Sequence, residues 1–154
     1  MLNTAQITKK YGKPNQQGSY LTTITLPYPM RLAWDTKTKV TKMRCHKLVA
    51  NDFLNVFNDL LDHYGYDKIV ELGIDLFGGC FNFRAMRGGS DYSRHSWGIA
   101  IDLNPEQNGL KTTYSKSLFS KPQYAELHNI FEKHGFINLG KERGYDAMHF
   151  EKAE

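Results

Sequence analysis

A chain of 154 residues with 40% apolar content can build one hydrophobic core and is too short for two independent ones. Nothing in it approaches the run of about eighteen apolar residues that a membrane span requires. The formal charge of +4 is unevenly spread: residues 1–50 hold nine lysines and arginines against a single acid, Asp35, so the remainder is net acidic.

In chain order, Met1 to about Ser19 is polar and reads as a loose arm. It lacks the apolar core and small-residue cleavage site of a secretory signal, which predicts synthesis as a cytoplasmic protein. Tyr20–Ile24 and Leu26–Trp34 read as short extended segments broken by Pro27 and Pro29, whose missing donors confine them to an edge or loop. Asp35–Val40 reads as a turn leading into a strand. Lys47–Tyr64 carries Leu48, Phe53, Leu54, Phe57, Leu60 and Leu61 at helical spacing, with Gly65 as its stop.

Ile69–Leu76 reads as a strand, with Gly78 and Gly79 turning the chain into Cys80–Arg84 as a hairpin partner. Arg87–Ser93 is a glycine-bearing loop delivering His95, and Pro105–Ser120 is a long polar connection suited to shaping a cleft. A second helix opens at Ser120 or Lys121, presents Tyr124, Leu127, Ile130 and Phe131 on its apolar side, and ends at His134 and Gly135. A last strand, MHFE, closes an α+β arrangement of helices against a small antiparallel sheet. Cys45 and Cys80 form no CxxC pair and read as free, buried thiols in preference to a Cys45–Cys80 disulfide. His46, His63, His128 and His134 read as structural or surface residues.

The chemistry gathers in Ser93–Asn104, SRHSWGIAIDLN, and in Asp146–Glu151, DAMHFE. His95 and Asp102 cannot share one regular element usefully: on a helix their spacing means about 10 Å of rise, and on a strand it puts them on opposite faces. Gly98 is placed to make the intervening turn. From Ile99 the order alternates with period two, so Ile99, Ile101 and Leu103 share the apolar face while Ala100 and Asp102 share the other. The same parity makes Met148 and Phe150 core and turns His149 and Glu151 towards the site, where Glu151 either holds the His149 ring in its tautomer or stays solvated. Two imidazoles and a carboxylate with an open fourth position are what a catalytic zinc needs, although the same set suits non-haem iron. Asp146, three residues before His149, is a candidate general base or an outer partner of a ligand histidine.

Ser93, His95, Gly98, Ala100 and Asp102, followed by Asp146 and His149, resemble the zinc D-Ala-D-Ala carboxypeptidase and phage endolysin peptidase family, related to lysostaphin and the hedgehog domain. The resemblance runs from about Leu72 to Glu151, and TLPYPMRLAWD is similar to the N-terminal part of some phage and prophage members. It implies a hedgehog/DD-peptidase-like fold, one Zn2+ held by His95, Asp102 and His149, and Asp146 activating the water. Arg84, in FNFR, resembles the family arginine that follows an aromatic residue and contacts substrate. Phe83 stands where many members have tyrosine, and Arg87 competes for the role. Ser93 and Trp97 are further candidates, the first to position His95 and the second to line the cleft.

The expected substrate is a peptidoglycan stem peptide. Three functions stay open: an endolysin-like peptidase cutting an L-alanyl-D-glutamate or related bond after holin-type release, a cellular D-Ala-D-Ala carboxypeptidase or dipeptidase, and a zinc-stabilised wall-binding module without catalysis. Residues 1–154 are expected to form a single zinc peptidase domain, with 1–46 a basic extension packed on the core. That basic part suits contact with an anionic wall polymer. No nucleic-acid recognition motif accompanies it.

Overall fold

A computed structural model describes residues 1–86, 89 and 91–154 of the chain. Helix α1 (Thr4–Tyr11) begins it, so the expected loose arm is in part ordered. Asn3 caps the helix in a reciprocal capping box with Gln6, and Ile7 and Tyr11, one turn apart on the same face, are buried. Apolar residues four apart supplied the anchor that the polar composition hid.

Strands β1 (Leu21–Leu32) and β2 (Asp35–His46) form one long hairpin about the turn Ala33–Trp34. The two extended segments expected around the prolines are thus one strand. Pro27 and Pro29 lie between Thr25 and Met30, where the β1–β2 register shifts, and β3 (Leu76–Phe77) joins the other edge of β1 only at Arg31 and Leu32. Neither proline therefore has to donate to a regular ladder. Ile24, Leu26, Tyr28 and Met30 alternate inward and face α2 (Ala50–Tyr64), whose Phe53, Val56, Phe57 and Leu60 form the buried stripe.

Gly65, at φ 75°, ends α2 and opens α3 (Tyr66–Glu71). This corrects the strand expected over Ile69–Leu76, of which only Leu76 is extended: a short apolar run does not distinguish strand from helix, and here only Ile69 of α3 is buried while the charged residues lie outside. The Gly78–Gly79 hairpin is also absent. The Gly78 amide donates to the Asp102 carbonyl (2.8 Å) and the Asp102 amide to the Gly79 carbonyl (2.9 Å). The glycines run beside β4 (Ala100–Asp102), where a Cβ on Gly78 would lie 3.1 Å from that of Asp102.

A second sheet has the order β4-β6-β5, all antiparallel, with β5 at Phe136–Asn138 and β6 at His149–Lys152. Helix α4 (Ala125–Lys133) seals its inner face, Phe131 stacking on Phe150 at 4.0 Å. Between β5 and β6 lies the short helix α5 (Leu139–Arg143). One apolar cluster runs from Ile7 through the hairpin and α2 to Phe150. The architecture is α+β, two small three-stranded sheets with flanking helices. Among the described residues no helix is long and apolar enough to cross a membrane.

Candidate metal centre

His95 sits in a 3-10 turn, Arg94–Trp97, capped by the Ser93 hydroxyl, which accepts from the His95 amide at 3.3 Å. Ser93 thus positions the backbone of His95 and does not bond its ring. Gly98 follows in the left-handed region at φ 70° and redirects the chain into β4. The His95 Nδ1–H donates to the Cys80 carbonyl (2.7 Å), which leaves Nε2 as the free ligand nitrogen.

Asp102 and His149 are opposed across the β4–β6 ladder. The Asp102 carboxylate lies between the imidazoles, Oδ2 3.2 Å from His95 Nε2 and Oδ1 3.3 Å from His149 Nδ1. One ligand atom from each of the three residues falls within 4.8 Å of the others. His95 Nε2 and Asp102 Oδ1 are buried without a hydrogen-bond partner. Buried polar atoms left unsatisfied and converging on one point are costly unless a further group occupies it. Two imidazole nitrogens and a carboxylate oxygen fit a divalent metal there.

Asp102 and His149 hold each other in charged form, and binding a metal there would release the His149 proton. Burial would raise the Asp102 carboxyl, but His95 and His149 outweigh it and hold Asp102 well below the usual carboxylate range. Burial would lower His149, but carboxylates on both ring nitrogens, Asp102 and Glu151, lift it to about 10. Asp146 moves the other way: burial, with Asp102 nearby, pushes its carboxyl up against the opposing pull of His149 and Arg143. Its Oδ1 is buried without a partner, while Oδ2 accepts from Arg143 Nη2 at 3.2 Å. A carboxyl raised by burial at the edge of a cationic site is suited to proton transfer.

Asp102, Asp146 and His149 line a cavity of about 760 Å³ together with Arg84, Lys111 and Arg143. Arg84 lines the cleft, and its side chain makes one described bond, to the neighbouring Ala85 carbonyl at 3.3 Å. Arg87 lies outside the described residues. Trp97 is not a cleft residue: it is fully buried, and its indole N–H donates to the Gly12 carbonyl at 2.7 Å, because the 3-10 turn points it away from the ligand and into the core. Met148, expected in the core, is only half-buried and lines the cleft. Its amide bonds to Asn108, so the regular ladder begins one residue later at His149.

Arg143, Lys111 and Arg94 also line the cleft and were not among the residues singled out from the sequence. Arg143 had a signal, lying three residues before Asp146; Lys111 sits in the Pro105–Ser120 connection with nothing to mark it.

Residues 87–152 match a family model described as D-alanyl-D-alanine carboxypeptidase. The match covers less than half of the chain and includes every residue of the metal centre together with Asp146. It supports a metallopeptidase of the peptidoglycan-acting kind. No curated protein and no solved structure matches the chain.

Proposed function

We propose that the chain is a single-domain zinc peptidase that hydrolyses a bond in peptidoglycan stem peptides, with an internal L-alanyl-D-glutamate or related bond as target. The observation that carries this is the convergence of His95, Asp102 and His149, with two buried ligand atoms unsatisfied, on a cleft that Asp146 also lines. His95 Nε2, Asp102 and His149 Nδ1 hold the metal. Zinc bound there supplies Lewis acidity, lowering the pKa of water towards about 7 and polarising a carbonyl.

Asp146 takes the proton of the attacking water and returns it to the leaving amine. Arg84 binds a substrate carboxylate or the developing oxyanion, where a fixed cation away from bulk water acts most strongly. Lys111 and Arg143 add positive charge to the cleft lining, which suits a substrate bearing several carboxylates. The outer face of the β1–β2 hairpin carries exposed Lys37, Lys39, Lys42 and Arg44, none in an ion pair among the described residues, and exposed Trp34 at its tip. This face offers the electrostatic contact with an anionic wall polymer.

The family match favours a second reading, removal of a terminal D-alanine. Digesting purified peptidoglycan with zinc-loaded protein and a chelated control, followed by mass spectrometry, separates the two. Fragments split after L-alanine support the endopeptidase, and loss of terminal D-alanine alone moves the assignment to a carboxypeptidase. No chelator-sensitive product despite bound zinc would end both and leave a wall-binding module.

A further inference from the structure

The ring of His149 has a partner on the side away from the metal centre. Its Nε2–H donates to Glu151 Oε1 at 2.9 Å. Two residues apart on β6, the two side chains share one face of the strand, so the geometry is set by the backbone that carries the ligand. Glu151 is only 3% exposed. A carboxylate that deeply buried is costly unless compensated, and its Oε2 faces Arg94 Nε at 3.8 Å.

Arg94 is in turn fixed from outside the catalytic segment. Its Nη1 donates to the Thr4 hydroxyl (3.2 Å) and its Nη2 to the Leu2 carbonyl (3.0 Å), and its guanidinium lies 6.0 Å from the Trp97 ring. Thr4 also donates to Asp91, in the loop that precedes His95. With each guanidinium nitrogen directed at a protein partner, Arg94 is an internal brace and not a substrate clamp, although it borders the cleft beside Arg84.

We infer that Glu151 and Arg94 are positioning residues for His149, and that residues 2–4 belong to the metal centre's support. Glu151 fixes the proton of His149 on Nε2, which leaves Nδ1 as the metal-facing nitrogen. Arg94 holds Glu151 in place and ties the ligand strand to the start of the chain. Loss of such an outer partner costs about 10- to 100-fold in metal affinity. The inference rests on the metal centre proposed above, but its hydrogen bond can be read without metal.

The test combines zinc affinity, measured by competition with a fluorescent chelator, with nitrogen-15 NMR of the imidazoles in the metal-free protein. Wild type should show His149 with an Nε2–H in a hydrogen bond. E151A should lose that signal and bind zinc about 10- to 100-fold more weakly. E151Q, which keeps an acceptor, should stay within a few-fold of wild type. R94M should weaken zinc in the same direction, with R94K recovering part of the loss.

Equal zinc affinity for E151A and wild type, with an unchanged His149 signal, would overturn the inference. So would an E151Q defect as large as that of E151A. If E151A does not fold, the E151Q and R94M comparisons decide. A wild-type protein that takes up no zinc would instead refute the metal reading, and the NMR arm would still judge the Glu151 bond.

Discussion

Asp102 and His149 face each other across one rung of an antiparallel ladder, with Asp102 Oδ1 3.3 Å from His149 Nδ1. Two of the three candidate ligands are therefore held by sheet register, which places side chains more precisely than a loop does. The third, His95, depends on a turn and on a single carbonyl, that of Cys80.

His149→Ala or Asp102→Asn should abolish both tight zinc binding and peptidoglycan cleavage. Asp146→Asn should retain zinc and lose turnover by a factor of about 100 or more, the span of general acid–base contributions. Position 146 has φ 71°, a conformation that asparagine tolerates better than most residues, so this variant keeps the backbone. Metal content by mass spectrometry beside activity checks the split; zinc loss in Asp146→Asn would refute the role as base.

Gly98→Ala should destabilise the fold and displace His95. The left-handed conformation alone costs a non-glycine residue about 1–2 kcal/mol. The added Cβ would lie 2.7 Å from Leu21 Cδ2 and 2.9 Å from the His46 amide nitrogen. A lowered melting temperature together with weaker zinc binding is the expected result.

Gly140→Ala probes the other side of the cleft. Its Cβ would lie 2.7 Å from the Ala147 Cα, a backbone atom adjoining Asp146. Turnover should fall with zinc affinity nearly preserved, since the strain reaches Asp146 before the β4–β6 rung. Zinc titration and kcat on a peptidoglycan substrate would measure both.

Cys45 and Cys80 are free and buried. Burial pushes the Cys45 thiol from 9.0 up to about 12. The folded chain thus keeps a proton that the unfolded chain releases above about pH 9. Stability linked to this thiol is intact below that pH and falls as pH rises towards 12. Neither thiol should react with a disulfide reagent at pH 8 in the native protein, and both should react in denaturant. Cys45→Ser should reduce the alkaline loss of stability measured by urea unfolding at successive pH values.

Asp59 of α2 and His134 at the end of α4 meet at 2.6 Å. The hydrogen bond from His134 holds the Asp59 carboxyl below its ordinary 3.8. A lowered carboxyl contributes stability that is fully present above the unfolded value and lost as pH falls through the folded one. The window is therefore below about pH 4. Asp59→Asn should cost about 1 kcal/mol or less at pH 7, since the pair is partly solvated, and should flatten the acid limb of the stability curve.

Part of the candidate metal site was legible in the sequence because a turn-forming glycine and two period-two strands fix which side chains share a face, whatever the rest of the chain does. The facing of Asp102 and His149 follows from that local rule, as does the inward set Ile99, Ile101 and Leu103, whereas His95 lies before the turn and was marked by the resemblance of its spacing to a known family. Helix α2 and the apolar side of α4 were legible for the same reason, each carrying a full helical period of large apolar residues.

What tertiary structure decided lies where local patterns are short or ambiguous. Ile69–Leu76 has too few residues to separate strand from helix, and packing on the core divided it: Ile69–Glu71 close helix α3, a turn follows, and Leu76 enters strand β3. Trp97 is adjacent in sequence to the site residues yet points the other way, because a 3-10 turn rotates successive side chains by about 120°. Arg94 is held at the cleft edge by contacts with a distant segment, residues 2–4, and Lys111 is brought to the cleft lining by the path of its loop. Spacing along a chain determines which face a side chain takes within its own element, and only the packing of elements determines what that face meets.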